Sequence, residues 1–101
     1  MMTYSDFERR LLMALVDAAD ASERGQCEAL DVAETVLPQV KDQWVSDAVR
    51  SYEQRGYIGP ISRPLDGRIF LMISGEGRKA AESLKAQIAA AQQPRPKIGF
   101  V

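Results

Sequence analysis

The reactive inventory of this 101-residue chain is short: one cysteine, Cys27, and no histidine. Zinc sites take several Cys or His ligands, so the sequence offers no zinc set. A Ser-His or Cys-His nucleophile pair is excluded for the same reason. A lone cysteine forms no internal disulfide, which fits a reducing compartment. Cys27 falls near the start of a candidate helix, where a thiolate gains stabilisation, although a buried and inert thiol is the expected state. The run Gly75-Glu76-Gly77-Arg78-Lys79-Ala80 places glycines and bases together. It lacks the phosphate-loop spacing G-x-x-x-x-G-K-[ST], and Ala80 stands where G-x-G-x-x-G needs its third glycine. No carboxylate pair occupies a recognisable catalytic frame. The expectation is a chain that is not an enzyme and carries no cofactor and no metal.

Charge is the next source of chemistry. The net charge is −1, but residues 1–53 hold eleven acids and five bases, a sum of −6, while residues 54–101 hold three acids and eight bases, a sum of +5. A polyanion would therefore meet the second half first. At 46% hydrophobic and 27% charged residues the composition is that of one ordinary globular domain. No apolar run approaches the ~20 residues of a membrane span. The start carries Asp6 and Glu8 instead of the basic, small-residue pattern of a signal peptide. The chain is therefore expected in the cytoplasm, with no membrane partner.

The elements that position these side chains follow from periodicity. A first helix is predicted over Ser5–Ala21, with Ser5 and Glu8 as a capping box and a stripe of Phe7, Leu11, Leu12, Leu15, Val16 and Ala19. Arg24-Gly25 ends it. A second helix spans Glu28–Leu37 and stops at Pro38. A third spans Asp42–Arg55, with Asp42 as N-cap, Trp44, Val45, Ala48, Val49 and Tyr52 towards a core, and Gly56 as the stop. Its opposite face carries Gln43, Ser46, Asp47, Arg50 and Gln54. Two extended runs follow, Tyr57–Ser62 and Arg68–Ile73. Pro60 makes the first an edge or an interrupted strand, and Asp66-Gly67 is hairpin chemistry. Phe70 and Met72 alternate with Ile69, Leu71 and Ile73, so they fall on the outer face and are available to a partner. A last helix spans Gly75–Gln92, capped by Ser74. Residues 1–92 form the domain, and residues 93–101 are a basic, Pro-containing tail bearing Ile98 and Phe100.

The fold class expected is mainly α with a small β-hairpin (α+β), in the order α-α-α-β-β-α of a winged helix-turn-helix. The segment Val45-Ser46-Asp47-Ala48-Val49-Arg50-Ser51-Tyr52-Glu53-Gln54-Arg55-Gly56-Tyr57-Ile58 resembles the recognition-helix segment of winged-helix regulators of the MarR and PadR type. Ile73-Ser74-Gly75-Glu76-Gly77 is similar to their strand-to-helix junction, in which Ser or Thr is followed three residues later by Gly. The resemblance spans about residues 5–90. Gly77 fits that pattern physically, because a glycine in the first turn of the last helix allows close approach of the backbone of the hairpin.

The resemblance implies binding to double-stranded DNA, as a homodimer, with the third helix in the major groove and the hairpin as a wing. Gln43, Ser46 and Arg50 would face base edges, Gln suiting adenine and Arg guanine. Lys41, Arg63 and Arg68 would meet phosphates or a narrow minor groove. Asp47, at the centre of that face, departs from the family pattern, in which a base is common. The second expectation is a winged-helix protein–protein or assembly module, motivated by Asp42 and Asp47 on the would-be reading face and by the apolar Phe70, Met72, Ile98 and Phe100.

Overall fold

The computed structural model describes residues 2–63 and 67–92. Four helices and a small antiparallel sheet follow in the order α1 (Tyr4–Ala21), β1 (Gln26–Glu28), α2 (Ala29–Val36), α3 (Asp42–Gln54), β2 (Ile58–Ser62), β3 (Phe70–Ile73) and α4 (Gly75–Gln92). The class is α+β and mainly helical, as expected. The order contains one strand more than expected. Three residues, Gln26-Cys27-Glu28, pair with β3 and turn the hairpin into a sheet of order β1-β3-β2. So short a strand has no alternation long enough to register as periodicity. Cys27 consequently lies in β1, two residues before the start of α2.

α1 starts one residue earlier than predicted, and the capping box is not what starts it. Thr3 is the N-cap, and its hydroxyl accepts from the Asp6 amide at 3.2 Å. The predicted stripe is the buried face: Phe7, Leu11, Leu12, Leu15, Val16 and Ala19. Each of the large side chains among them, Phe, Leu and Val, contributes roughly 1.5–3 kcal/mol when fully buried. α1 is therefore the hub of the core, against which Ala29, Ala33, Val45, Ala48, Val49, Tyr52, Leu71 and Ala81 pack.

α2 begins at Ala29 because Glu28 is outside it, as its cap. The Glu28 carboxylate accepts from the amides of Leu30 at 2.9 Å and Asp31 at 3.1 Å. It also accepts from the Ile69 amide at 2.8 Å, and the Ala29 amide donates to the Ile69 carbonyl at 2.8 Å. One carboxylate thus ties the start of α2 to the approach to β3.

β3 is the central strand. Cys27 and Leu71 are paired and buried, while Gln26 pairs with Met72 and Glu28 with Phe70. β2 is an edge strand, and its pairing with β3 shifts register between Ile58 and Ile61, across Gly59-Pro60. The missing amide of Pro60 is consistent with both features.

α4 runs antiparallel over α1. Arg78 pairs with Asp20 and Lys85 with Asp17 at 2.7 Å, while Ile88 lines one surface cleft with Arg10 and Met13, and Ala91 another with Asp6. Ala81 is the buried contact of this helix. Among the described residues no helix is long and apolar enough to cross a membrane.

Candidate nucleic-acid interface

α3 is held from three sides. Val45, Ala48, Val49 and Tyr52 are buried beneath it, and the Tyr52 hydroxyl donates to the Glu8 carbonyl of α1. At its start, Trp44 packs edge-on against Tyr4, with ring centroids 5.6 Å apart at 83°, and tilted against Phe7 at 5.6 Å. At its end, Gly56 takes φ 73°, a left-handed turn that places the Tyr57 amide 2.9 Å from the Tyr52 carbonyl.

That end is also where the sheet and α4 meet α3. The Ser74 hydroxyl donates to the Gly56 carbonyl and accepts from the Gly77 amide at 3.1 Å. The Ser74 amide donates to the Tyr57 carbonyl at 3.0 Å. Ser74 is the predicted cap of α4, and it also clamps α3 to the sheet. The two sequence segments that carry the winged-helix resemblance, Val45–Ile58 and Ile73–Gly77, are therefore in contact.

The outer face of α3 carries the predicted polar residues, with two changes. Lys41, Gln43 and Arg50 are exposed. Ser46 and Asp47 are half-buried, so Asp47 is not the exposed centre that periodicity suggested. Its carboxylate accepts from the Gln43 side-chain amide at 2.8 Å, one helical turn away. Asp47 also lies close to Tyr4. Burial, a hydrogen bond to Glu8, and the charges of Glu8 and Asp47 push the Tyr4 phenol up to about 12. The sequence does not single out Tyr4, because it precedes the expected start of the first helix.

Lys41, not Asp42, is the N-cap of α3. It is extended, with φ −70° and ψ 137°, and makes no side-chain capping bond. Asp42 is the first helical residue, where its charge still suits the helix dipole. The first-turn amides of α3 thus lack the side-chain acceptor that Thr3, Glu28 and Ser74 give to the other three helices. Among the described residues Arg50 has no hydrogen-bond or ion-pair partner.

The two bases predicted for a wing, Arg63 and Arg68, are exposed at the ends of the strands. Arg63 follows β2 and lies 3.6 Å from Glu53 in the last turns of α3. Glu53 was not predicted to matter here, and only the turn back from α3 into the sheet brings it to the wing. Arg68 is exposed just before β3. The turn residues 64–66 lie outside the described residues, and Gly67 beside them has φ 86°.

On the outer sheet face Met72 is 40% exposed and the neighbouring Phe70 is half-buried, which fits the predicted alternation. The extra strand puts Gln26 and Glu28 beside them, so this face is narrower than that of a bare hairpin. Ile98 and Phe100 lie outside the described residues.

Comparison of the chain with protein-family models, with characterised proteins and with solved structures finds no match.

Proposed function

We propose that this chain is a winged-helix DNA-binding domain of the transcriptional-regulator type, acting in the cytoplasm. The observation that carries this reading is the outer face of α3. Gln43 and Arg50, seven residues and two turns apart, are both exposed on a helix whose other face is buried. Their amide and guanidinium are the side-chain groups best suited to adenine and guanine edges. The uncapped first turn of α3, with Lys41 beside it, is suited to a phosphate. Arg63 and Arg68 supply positive charge at the wing, two strand-ends away. The half-burial of Asp47 and its bond to Gln43 remove much of the objection that an acid on this face would raise. The reading extends to a homodimer, whose two α3 helices would meet half-sites about 34–36 Å apart. Ala89, Ala90 and Ala91 of α4 are exposed and allow close helix approach.

The test is fluorescence anisotropy of a labelled duplex at low and moderate salt. Binding that weakens steeply as salt rises supports the reading, since each neutralised phosphate adds about 0.9 to the slope of log K against log salt. No binding at low salt and high protein concentration sinks it.

The second reading is a winged-helix assembly module that binds protein and not DNA. The exposure of Met72 favours it, as this is the only large hydrophobic exposed among the described residues. Met72→Glu would then abolish partner capture while leaving duplex binding at zero.

A further inference from the structure

We infer that a second copy of this chain docks on the outer face of α1, antiparallel to it, about a twofold axis that passes between Met13 and Ala14. α1 packs against α2, β1, β3 and α4, and the rings of Tyr4 and Phe7 meet Trp44 of α3. One stripe of the helix is left facing outward. It carries Arg10, Ala14, Asp17 and Ala21, at the three- and four-residue spacing of a single helix face. Arg10, Asp17 and Ala21 are exposed, and Ala14 and the adjoining Met13 are half-buried.

The charges of that stripe select the occupant and its direction. Arg10 and Asp17 stand two turns apart, about 10.5 Å along the helix. Among the described residues Arg10 forms no hydrogen bond or ion pair, though its charge reaches Asp6 one turn back. A parallel copy would set Arg10 against Arg10 and Asp17 against Asp17. An antiparallel copy sets Arg10 of each chain opposite Asp17 of the other, twice, with Met13 and Ala14 at the axis. Such a contact is isologous and closes at two copies. The short side chains of Ala14 and Ala21 let the helix axes approach to about 8–10 Å, a gap that an arginine spans. Asp17 already accepts from Lys85 of α4 at 2.7 Å, so in the pair its carboxylate lies between two cations. An exposed ion pair alone holds two chains weakly. Apolar surface comes from the cleft of about 360 Å³ that Arg10 borders, where Met13 of α1 meets Ile88 and Ala89 of α4.

This contact deepens the homodimer of the proposed function and rests on that part alone, since the duplex titration tests the DNA part separately. The experiment is sedimentation velocity, over a range of protein concentrations, on the full chain and on Arg10→Glu and Asp17→Arg, each alone and mixed in equal amounts. The wild type should dimerise. Each variant alone places like charges opposite one another, and its dimer dissociation constant should rise at least about tenfold. The mixture should recover the dimer as a heterodimer, because every contact between positions 10 and 17 again joins an acid to a base. The double variant Arg10→Glu/Asp17→Arg exchanges the two charges within one chain and should dimerise like the wild type, which separates charge pairing from loss of folding. A wild type that stays monomeric at high concentration overturns the inference. Single variants that associate as tightly as the wild type, or a mixture that stays monomeric, overturn it as well.

Discussion

Gly77 lies directly beneath the carbonyl of Tyr57. A Cβ built on Gly77 would stand 2.9 Å from the Tyr57 carbonyl carbon, closer still to its oxygen, and 3.0 Å from Ile73 Cγ2. The obstacle is backbone, and that backbone is fixed by the hydrogen bond from the Ser74 amide. Gly77→Ala is therefore expected to cost about 3 kcal/mol or more in a denaturant titration, although alanine is the better helix former. Gly75, two residues earlier, has open space where its Cβ would go. Gly75→Ala should stabilise by up to about 1 kcal/mol through helix propensity and unfolded-state entropy. Equal effects of the two substitutions would contradict the close packing of α4 against Tyr57.

Glu28 is expected to matter more than an exposed-looking acid would. Its carboxylate serves three amides, those of Leu30, Asp31 and Ile69. Capping bonds to a charged acceptor are worth about 1–2 kcal/mol, and the Ile69 amide would also lose its acceptor. Glu28→Ala should lower stability by about 2–3 kcal/mol, and Glu28→Gln, which keeps an acceptor oxygen, by less. A thermal midpoint in Glu28→Ala equal to that of the wild type would show that the clamp is not formed.

These two positions mark what the sequence makes legible. Local signals are legible: the α1 stripe, Gly56 and Ser74 each have a physical role within a few residues of themselves, and Gly77 meets Ser74 and Ile73 close by. Glu28 falls at the first position of the helix that the sequence predicts, because its third partner, Ile69, is 41 residues away and nothing local announces it. β1 is not legible for the same reason, since a three-residue strand exists only through its pairing with β3. Within the candidate interface, the residue types on α3 were legible from period alone. The bond of Asp47 to Gln43 and the reach of Glu53 to Arg63 depend on rotamers and on the return of the chain, and periodicity carries neither.

Alkaline pH should destabilise the fold through Cys27. Burial, and next the charge of Glu28, push its thiol up to about 11, and it donates to the Leu15 carbonyl at 3.6 Å. The raised group ionises more readily when the chain is unfolded. Its contribution is therefore complete below about pH 8.5 and lost as pH rises towards 11. Tyr52, raised mainly by burial, and Tyr4 extend the same trend to higher pH. Cys27→Ala should flatten the portion of a stability profile between about pH 8.5 and 10, while the Tyr-dependent loss, which begins near pH 10, remains. Native-state alkylation of Cys27 at pH 8 should be much slower than that of the unfolded chain.

Glu53 is expected to restrain the wing. It holds Arg63 at 3.6 Å, both side chains being about half exposed, so the pair itself adds little stability. Removing its charge releases Arg63 and takes a negative charge from beside α3. If the chain binds DNA as proposed, Glu53→Gln should raise affinity for all duplexes alike and steepen the salt dependence. Arg63→Ala should weaken all duplexes alike and reduce the slope by about 1. A Glu53→Gln protein whose affinity and slope match the wild type would remove Arg63 from the contact set.

The bond between Gln43 and Asp47 gives the sharpest separation of affinity from sequence preference. A carboxylate only accepts, so the atom of Gln43 that faces Asp47 must be its nitrogen. One amide hydrogen is spent there. The second hydrogen and the carbonyl oxygen remain, and together they form the donor–acceptor edge that pairs with adenine. Asp47 thereby fixes which way the amide is turned; if the chain binds DNA as proposed, it does so with a negative charge near the phosphates. On that reading, Asp47→Asn removes the charge and keeps an acceptor oxygen, so it should raise affinity and retain a preference for adenine. Asp47→Ala should raise affinity as well, but free the amide to rotate and reduce discrimination at that base by about 1 kcal/mol, roughly fivefold. Binding selections on the three proteins would separate these outcomes. Identical preferred sequences for Asp47→Ala and wild type would mean that Gln43 reads no base through this edge, and Arg50 would then be the main reader on α3.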